Sequence, residues 1–396
     1  MDDFRQAVFM KFDLIIIGGG LAGAALSVAL RSTRLSVALV EGHAPKRLGG
    51  WDSRIYAYSP ESASFLREIG VWDRLDPERM CRVARMDVRG DDNGRLTFSA
   101  YAAGLSELAW IGESSLVHVE LWESLRRQHN VTLFSPVRPL GLTCTEDGAT
   151  LHLEDGRVLS AGLVVGADGR DSWVREQVGI DSRVTPYDEQ GVVANMLCEH
   201  PHQQTAYQWF RDDGVLAWLP LPGKRVSIVW SAPDSVATSL QALDAEAFCR
   251  RVGEAGSNVL GKMALESERV AFPLRLMRVR QPVGPSVALI GDAAHAIHPL
   301  SGHGINLGFQ DARVLARLLG ALQPWQPIND PIMLRRYARA RAEEPFLLQY
   351  ATHGLNRLFA SRNPMARQLR NLGMNLTCRL PVVTNMLTRY AVRGDF

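Results

Sequence analysis

Two glycine-rich segments, separated by most of the chain, carry the residues best suited to bind a nucleotide. Residues 18–23 read GGGLAG and follow the apolar run 14–17, LIII. Residues 291–295 read GDAAH, follow the run 287–290, VALI, and lead into residues 298–306, HPLSGHGIN. A glycine-rich turn between a strand and a helix brings backbone amides against a pyrophosphate. The second segment could reach the sugar alcohol and the ring of the same molecule, so the pair predicts bound FAD rather than a diffusing nicotinamide.

The first segment has the spacing of a dinucleotide-binding turn. Gly18 would allow the tight turn, Gly20 would let the backbone approach the pyrophosphate, and Gly23 would let the helix pack on the sheet. Glu41 ends the next predicted strand, a position from which a carboxylate accepts hydrogen bonds from ribose hydroxyls. The alternative for Glu41 is a solvated strand end.

Two acids and one loop complete the expected contacts. Asp292 ends a predicted strand and could accept a hydrogen bond from a ribitol hydroxyl, whereas Asp168, in the segment 166–175 (GADGRDSWVR), is either a cofactor contact or part of a turn. Residues 298–306 could place backbone amides along the ring edge and stabilise negative charge as the ring is reduced. The alternative for this loop is a cap on the following helix.

The surrounding elements predict an α/β fold. A strand at 12–17, a helix at 21–31 and a strand at 35–40 form a unit with a right-handed crossover and a parallel sheet. Residues 192–230 instead predict long strands without alternating helices, which is typical of an antiparallel sheet in a second domain. Its aromatic residues either line an apolar pocket or belong to the core: Trp209, Phe210, Trp218 and Trp230.

The predicted architecture is a Rossmann-type FAD-binding domain interleaved with a mainly antiparallel β-sheet substrate domain, followed by a helical C-terminus. Residues 1–80, 98–178 and 272–325 are assigned to the FAD-binding domain. Residues 81–97 and 179–271 are assigned to the substrate domain, and residues 326–396 to the C-terminal helical region.

Composition excludes several classes of function. A net charge of +2 over 396 residues is too small for a nucleic-acid footprint. No apolar run approaches the length of a membrane span, and the first residues, MDDFR, do not resemble a secretory signal. Five scattered cysteines without a CxxC pair predict reduced thiols in the cytoplasm, and no metal site is expected.

The three motifs GGGLAG, GADGRDSWVR and GDAAHAIHPLSGHGINLGFQDA resemble those of flavin monooxygenases of the para-hydroxybenzoate hydroxylase class. Within that class the chain is most similar to the ubiquinone-biosynthesis hydroxylases, with further matches at 52–59 (DSRIYAYS), 217–221 (AWLPL) and 227–230 (SIVW). The resemblance implies that NAD(P)H reduces FAD and that one atom of O2 is transferred to a polyprenylated phenol or quinol. The alternatives are a flavin-dependent reductase of the same fold and a non-catalytic FAD-bound carrier or assembly subunit.

The resemblance also implies site residues. It places Arg54 beside the flavin, with a solvated surface arginine as the alternative, and Pro299 over the reactive face. His295 and His298 are either bases or hydrogen-bonded structural histidines. His303 stands where the family usually has glutamine, and either contacts the flavin or points away. The candidate catalytic residues are Arg54, His298, Pro299 and His303. The expected cofactor contacts are Gly18, Gly20, Leu21, Ala22, Gly23, Glu41, Arg54, Val137, Asp168, Gly291, Asp292, Pro299, Gly302, Gly304, Ile305 and Asn306.

The C-terminal tail predicts a basic amphipathic helix. Its apolar residues follow one helical face and are surrounded by arginines: Leu369, Leu372, Leu376 and Leu380. Such a helix either packs on the cofactor domain or contacts an anionic membrane surface. The expected location is therefore cytoplasmic, with peripheral contact at the inner face of the membrane or with a ubiquinone-biosynthesis complex as the alternative to packing.

Overall fold

The computed structural model describes residues 8–90, 94–296, 304–343 and 345–346, together with positions 354, 368, 370–371 and 384–385. The strands of this part of the chain are β1 (Phe9–Ile17), β2 (Val37–Val40), β3 (Ile55–Tyr58), β4 (Cys81–Val83), β5 (Arg85–Arg89), β6 (Arg95–Ser99), β7 (Ala109–Glu113), β8 (Val131–Phe134), β9 (Pro139–Thr145), β10 (Gly148–Leu153), β11 (Val158–Gly166), β12 (Ser182–Cys198), β13 (Thr205–Arg211), β14 (Gly214–Leu221), β15 (Arg225–Pro233), β16 (Met263–Leu265), β17 (Val270–Val279), β18 (Val283–Gly284), β19 (Val287–Leu289) and β20 (His295–Ala296). The helices are α1 (Leu21–Ala29), α2 (Pro60–Glu68), α3 (Ala100–Ala103), α4 (Ser114–Arg126), α5 (Trp173–Gln177), α6 (Asp234–Ala242), α7 (Ala245–Ala255), α8 (Gly304–Gly320) and α9 (Pro331–Ala340).

A mostly parallel sheet forms the first layer, in the order β18-β19-β11-β1-β2-β8, with β10 beside β11 and β9 beside β10. Strand β1 runs parallel to both β11 and β2, and β2 runs parallel to β8. The apolar run at the end of β1 is buried because both faces of the sheet are covered. Helices α1, α4, α8 and α9 cover one face, and the β9–β10 hairpin with α5 covers the other. The predicted Rossmann-type unit is confirmed.

A largely antiparallel sheet forms the second layer, in the order β20-β17-β12-β15-β14-β13-β5-β6, with β16 beside β12. Trp218 and Trp230 point to the face covered by α6 and α7, where they pack with Trp209 in one buried cluster. Phe210 points to the opposite face and packs with Val88 and Val215. The three tryptophans therefore form a core rather than a pocket for a ligand.

A small sheet, β3-β7-β4, lies between the two larger sheets. Its Ile55 and Ile111 pack with Ala206 and Leu221 of the antiparallel sheet, whereas Tyr58 packs with the helices of the parallel sheet. The loop that precedes β3 is thereby placed between the two layers. This loop carries Arg54.

The structure differs locally from the expected boundaries. The predicted helix 21–31 ends at Ala29 and continues as a 3-10 turn, Leu30–Ser32. The proposed domain boundaries at 97/98 and 271/272 fall inside β6 and β17, both of which belong to the antiparallel sheet. The domain division therefore stays a prediction. In the described part of the chain, no helix is both long and apolar enough to cross a membrane.

Candidate cofactor-binding site

Gly18, Gly20 and Gly23 of the first motif are glycines for different structural reasons. Gly18 has φ +104°, and a Cβ there would overlap the carbonyl of Ala167 at the end of β11. A Cβ on Gly23 would overlap the carbonyl of Gly18, so both glycines are required by the packing of the protein itself. A Cβ on Gly20 would meet nothing within 4 Å. Gly20 therefore borders open space at the start of α1, where unbonded helical N–H groups can receive a phosphate.

The carbonyl and amide of Gly19 fix the position of this loop. The Gly19 N–H donates to Glu41 Oε2 at 2.6 Å, and the other Glu41 oxygen accepts the N–H of His43 at 2.9 Å. The Gly19 carbonyl accepts from Trp122 Nε1 at 2.8 Å and from His118 Nε2 at 2.7 Å. Glu41 thus lies at the end of β2, as expected for a ribose-binding acid, and remains half-exposed.

His118 and Trp122 were not identified as site residues from the sequence. Their i, i+4 spacing puts both on one face of α4, which is the local signal that could have been noticed. Desolvation lowers the pKa of His118, so its ring is neutral near pH 7. The bond to a carbonyl then requires the proton on Nε2 and leaves Nδ1 as an acceptor.

The second glycine-rich segment meets the first. Gly291 has φ +60°, and a Cβ built there would lie 3.3 Å from the Cβ of Ala22. A Cβ on Gly308 of α8 would also lie 3.3 Å from Ala22, so the start of α8 packs closely against the first turn of α1. The distant motifs thus form one site, with Leu21, Ala22, Gly304 and Ile305 in the first turns of the two helices.

Asp292 lines a cleft beside this contact. Its side chain keeps solvent-accessible surface, and no hydrogen bond to it is found among the described residues. Desolvation by the surrounding protein raises its pKa, and His295 and Arg170 lower it in part. An acceptor of this kind suits a sugar hydroxyl.

Tyr56 faces the same space and was assigned no role from the sequence. Its pKa is raised mainly by desolvation and further by the charge of Asp292, while Arg54 and Arg170 lower it. The charges that shift the Tyr56 pKa therefore come from the Arg54 loop, which also contributes Asp52, from the turn that follows β19 and from Arg170. Because Tyr56 lies on β3, directly after the Arg54 loop, this cluster joins the small sheet to the turn that follows β19.

The Arg54 loop is anchored through its backbone. Asp52 Oδ1 accepts the Arg54 N–H at 2.9 Å, and the Asp52 N–H donates to Glu113 Oε1 at 2.6 Å. Glu113 is buried and is held by two bonds of 2.7 Å from Arg79. Asn195 of β12 donates to the Asp52 carbonyl at 2.8 Å. The loop is therefore fixed while the Arg54 side chain stays exposed.

Two predicted contacts, Asp168 and Asn306, use their side chains for hydrogen bonds within the protein. Asp168 accepts from Ser172 Oγ at 2.6 Å and from the Val174 N–H at 2.9 Å, which holds the start of α5. Asn306 donates to the Ala57 carbonyl at 2.8 Å and accepts the Ser59 N–H at 2.9 Å, which ties α8 to β3. For these residues, a cofactor contact would come from the backbone.

The remaining predicted residues have simpler outcomes. Val137 is buried, and its N–H donates to the carbonyl of Glu41 at 3.1 Å, which places it next to the expected ribose position. His295 is 9% exposed and bonded to Asp311, so it is a hydrogen-bonded structural histidine. Four residues lie outside the described part of the chain, and their roles stay predictions: His298, Pro299, Gly302 and His303.

The cleft fits an extended dinucleotide. Open space at Gly20 and the N-terminus of α1 suit a pyrophosphate. Glu41, bonded to the Gly19 N–H, could hold a ribose, and Asp292 and Arg54 could hold a ribitol and a ring. These residues could bind and orient FAD, while the antiparallel sheet covers the space beside Arg54.

The comparisons with known proteins agree with this geometry. The FAD-binding domain family matches residues 11–342. A ubiquinone hydroxylase of Rhodospirillum rubrum is 33% identical over 385 residues, covering 96% of this chain and 89% of the relative. The 3-demethoxyubiquinol 3-hydroxylase of Escherichia coli is 31% identical, covering 96% of this chain and 98% of the relative. The mitochondrial ubiquinone biosynthesis monooxygenase COQ6 of Drosophila melanogaster is 32% identical, covering 96% and 90%.

Solved structures share the fold. A probable FAD-dependent monooxygenase from Pseudomonas aeruginosa has a TM-score of 0.78 at 24% identity, covering 93% of this chain and 100% of that one. The p-nitrophenol 4-monooxygenase of Pseudomonas putida has a TM-score of 0.79 at 18% identity, covering 96% and 97%. Both likenesses cover more than nine-tenths of the chain, and they show the same fold as the described parallel and antiparallel sheets.

Proposed function

Since this chain belongs to the family of FAD-dependent monooxygenases, with the FAD-binding domain matching residues 11–342, we propose that it hydroxylates a polyprenylated phenol or quinol ring in ubiquinone biosynthesis. The observation that carries the proposal is the alignment of 96% of the chain with relatives named as ubiquinone hydroxylases at about one-third identity. NAD(P)H, the reductant typical of the class, and O2 are the co-substrates.

Different residues of the cleft would bind different parts of FAD. When bound, FAD supplies the two-electron reduction and the oxygen activation that side chains cannot. Gly20 and the first turn of α1 would hold the pyrophosphate, and Glu41 would hold the adenosine ribose. Asp292 would accept from the ribitol, and Arg54 would lie beside the ring and favour negative charge there.

The face of the antiparallel sheet that looks toward the Arg54 loop supports an apolar substrate. Val193, Val229 and Ala217 stand opposite one another on β12, β15 and β14, and so form one row across three strands. Asn195, which bonds the Asp52 carbonyl, lies on the same face as Val193 because it is two residues further along β12. A row of small apolar side chains beside the loop suits an aromatic ring and excludes water from it.

The test is oxygen transfer by the purified, FAD-loaded protein. With NADH or NADPH, a polyprenyl phenol and ¹⁸O2, we expect a product heavier by one labelled oxygen, in proportion to the NAD(P)H consumed. Reduction of the substrate without label would identify a reductase instead. A flavin that no NAD(P)H reduces with any candidate phenol present would identify a non-catalytic carrier. The quinone intermediates that accumulate in cells lacking the chain would name the ring position.

A Val229→Trp variant sharpens this test. A bulky indole in the middle of the row would obstruct the ring, so we expect FAD content to stay normal and hydroxylation to fall. The matched control is Ile228→Val, a substitution one residue away that points into the core on the other face. Equal hydroxylation by Val229→Trp and the parent would contradict the assignment of this face to the substrate.

We also propose a cytoplasmic location with peripheral contact at the inner face of the membrane, or with a ubiquinone-biosynthesis complex. The support is the basic amphipathic pattern of residues 365–393, most of which lie outside the described part of the chain. Flotation of the full chain with vesicles rich in anionic lipid should recover it in the lipid fraction, and neutral vesicles should not. Equal recovery with both would contradict an electrostatic contact.

A further inference from the structure

Asp311 of α8 is the centre of a buried charged cluster behind the cofactor site. Its side chain is fully buried. One carboxylate oxygen accepts from Arg341 Nε at 2.6 Å, and the other accepts from His295 Nε2 at 2.7 Å and from the Gly291 N–H at 2.8 Å. His295 and Arg341 are themselves less than one-tenth exposed. Three donors on one buried carboxylate form a fixed support.

The buried Asp311 carboxylate bonds directly to the turn that carries Asp292. Gly291, whose N–H the carboxylate holds, is the residue before Asp292 and has φ +60°. From the other side, Arg175 of α5 donates to the carbonyl of Ala293 at 3.0 Å. The turn is therefore bonded on both sides of Asp292, while Asp292 itself faces the cleft.

We propose that Asp311 is a positioning residue for this turn, and that its hydrogen bonds to His295 and to the Gly291 N–H keep the turn in its FAD-binding geometry. Asp311 touches neither substrate nor cofactor in this arrangement. It acts through the Gly291 amide, and the positive ring beside it balances the negative charges of Asp311 and Asp292. The proposal requires FAD binding but not the identity of the ring substrate.

The electrostatics give the direction of the pH dependence. Burial by itself disfavours the charged ring, but attraction to Asp311 and the hydrogen bond to it outweigh burial and raise the pKa of His295. Burial likewise opposes ionisation of Asp311, yet His295 and Arg341 lower its pKa below the usual range. A group with a raised pKa stabilises the folded arrangement at low pH and loses that effect as pH rises through the raised value. FAD should therefore be released faster at higher pH.

Charged groups from three packed elements and from its own turn face His295. His295 faces Asp311 on α8, Arg341 after α9 and Asp292 in its own turn, and Arg278 of β17 is its register partner. Of these groups, Arg341 alone lowers the pKa of His295, by less than Asp311 raises it. Protonated His295 therefore ties Asp311 of α8 to the turn that carries Asp292.

The experiment follows the release of FAD from the holoenzyme by the fluorescence of the free flavin between pH 5.5 and 9. We expect release from the parent protein to accelerate across this range. His295→Gln keeps a donor toward Asp311 but has no charge, so it should release FAD at one rate throughout, close to the parent's rate at high pH. Asp311→Asn should release FAD about 10- to 100-fold faster, the size typical of groups that orient a ligand from behind.

His202→Gln is the matched control. His202 is also buried and bonds a carbonyl, that of Leu221, but it lies at the antiparallel sheet. Its substitution should leave the pH profile of release unchanged. If Asp311→Asn does not fold, His295→Gln still decides the matter. A parent profile that is flat, or a His295→Gln profile that keeps the parent's slope, would overturn the proposal, whereas failure to hydroxylate any phenol would not affect it.

Discussion

Residues 18–20 form what we call the phosphate loop. Among them, Gly20 is the glycine whose missing side chain leaves room for a ligand rather than for the protein. Because a Cβ there meets no protein atom within 4 Å, we expect Gly20→Val to fold normally and to be isolated without FAD. The measurements are the flavin absorbance of the purified protein and its far-ultraviolet circular dichroism.

Gly23→Val is the informative comparison for this variant. Its side chain would overlap the carbonyl of Gly18, so that variant should be unfolded or insoluble. A yellow Gly20→Val protein with normal FAD content would show that the pyrophosphate lies elsewhere.

Asp292 is an exposed carboxylate in the turn that follows β19. Removing it should weaken FAD binding about 10-fold or more, because a hydrogen bond to a charged acceptor contributes about 1.5–3 kcal/mol. We expect Asp292→Ala to lose FAD on dialysis while Glu154→Ala retains it. Glu154 is an exposed acid that accepts the backbone N–H of Arg138 near the β9–β10 hairpin. Equal retention by both variants would argue against a ribitol contact.

At the scale of elements, α4 positions the phosphate loop through His118 and Trp122, which both donate to the Gly19 carbonyl. A carbonyl with two lone pairs stays satisfied when one donor is lost, but losing both leaves a buried acceptor without a partner. We therefore expect His118→Leu and Trp122→Phe each to weaken FAD binding only a few-fold, about fivefold at most. The double variant should weaken it by about 10-fold more than the product of the two. Fluorescence titration of the apoprotein with FAD measures all three, and multiplicative effects would contradict a shared role.

The same helix shows what sequence patterns reveal about this site and what they do not. The apolar runs before Gly18 and Gly291 predicted two buried strands and the helices that follow them, since each signal is local. His118 and Trp122 were missed because their partner, Gly19, is about a hundred residues earlier in the chain. The hydrogen bonds of Asp168 to the start of α5 and of Asn306 to β3 were not predicted, because spacing gives a position on an element but not the bonds that a side chain makes.

At the scale of the molecule, the division of the chain into domains was harder to predict than the individual strands and helices. Strand β17 contains Pro273, and the pairing of β17 with β12 is irregular between Pro186 and Gln190. A proline normally interrupts a strand, so no local signal marks residues 270–279 as one continuous element. The two sheets are joined by side-chain contacts at the Arg54 loop, which only the folded chain reveals.

The last prediction concerns Asn195, because its side chain donates a hydrogen bond from the antiparallel sheet to the backbone of the Arg54 loop. Asn195→Ala would leave the Asp52 carbonyl without this donor and let the sheet and the loop separate slightly. Water would then reach the reacting ring more easily, so oxygen would be released as hydrogen peroxide instead of entering the product. We expect FAD content to stay normal while the ratio of hydroxylated product to NAD(P)H consumed falls at least about twofold, as loss of one hydrogen bond of about 1 kcal/mol allows.

Gln190→Ala is the control for this prediction, since Gln190 lies on the same strand and its side chain donates to the exposed Asp234 rather than to the Arg54 loop. It should keep the parent ratio of product to NAD(P)H. If Asn195→Ala also keeps that ratio, the contact between the sheets does not protect the reaction from water. If instead it loses FAD, the contact belongs to cofactor binding, because the Arg54 loop would then depend on the antiparallel sheet for its position even before substrate arrives.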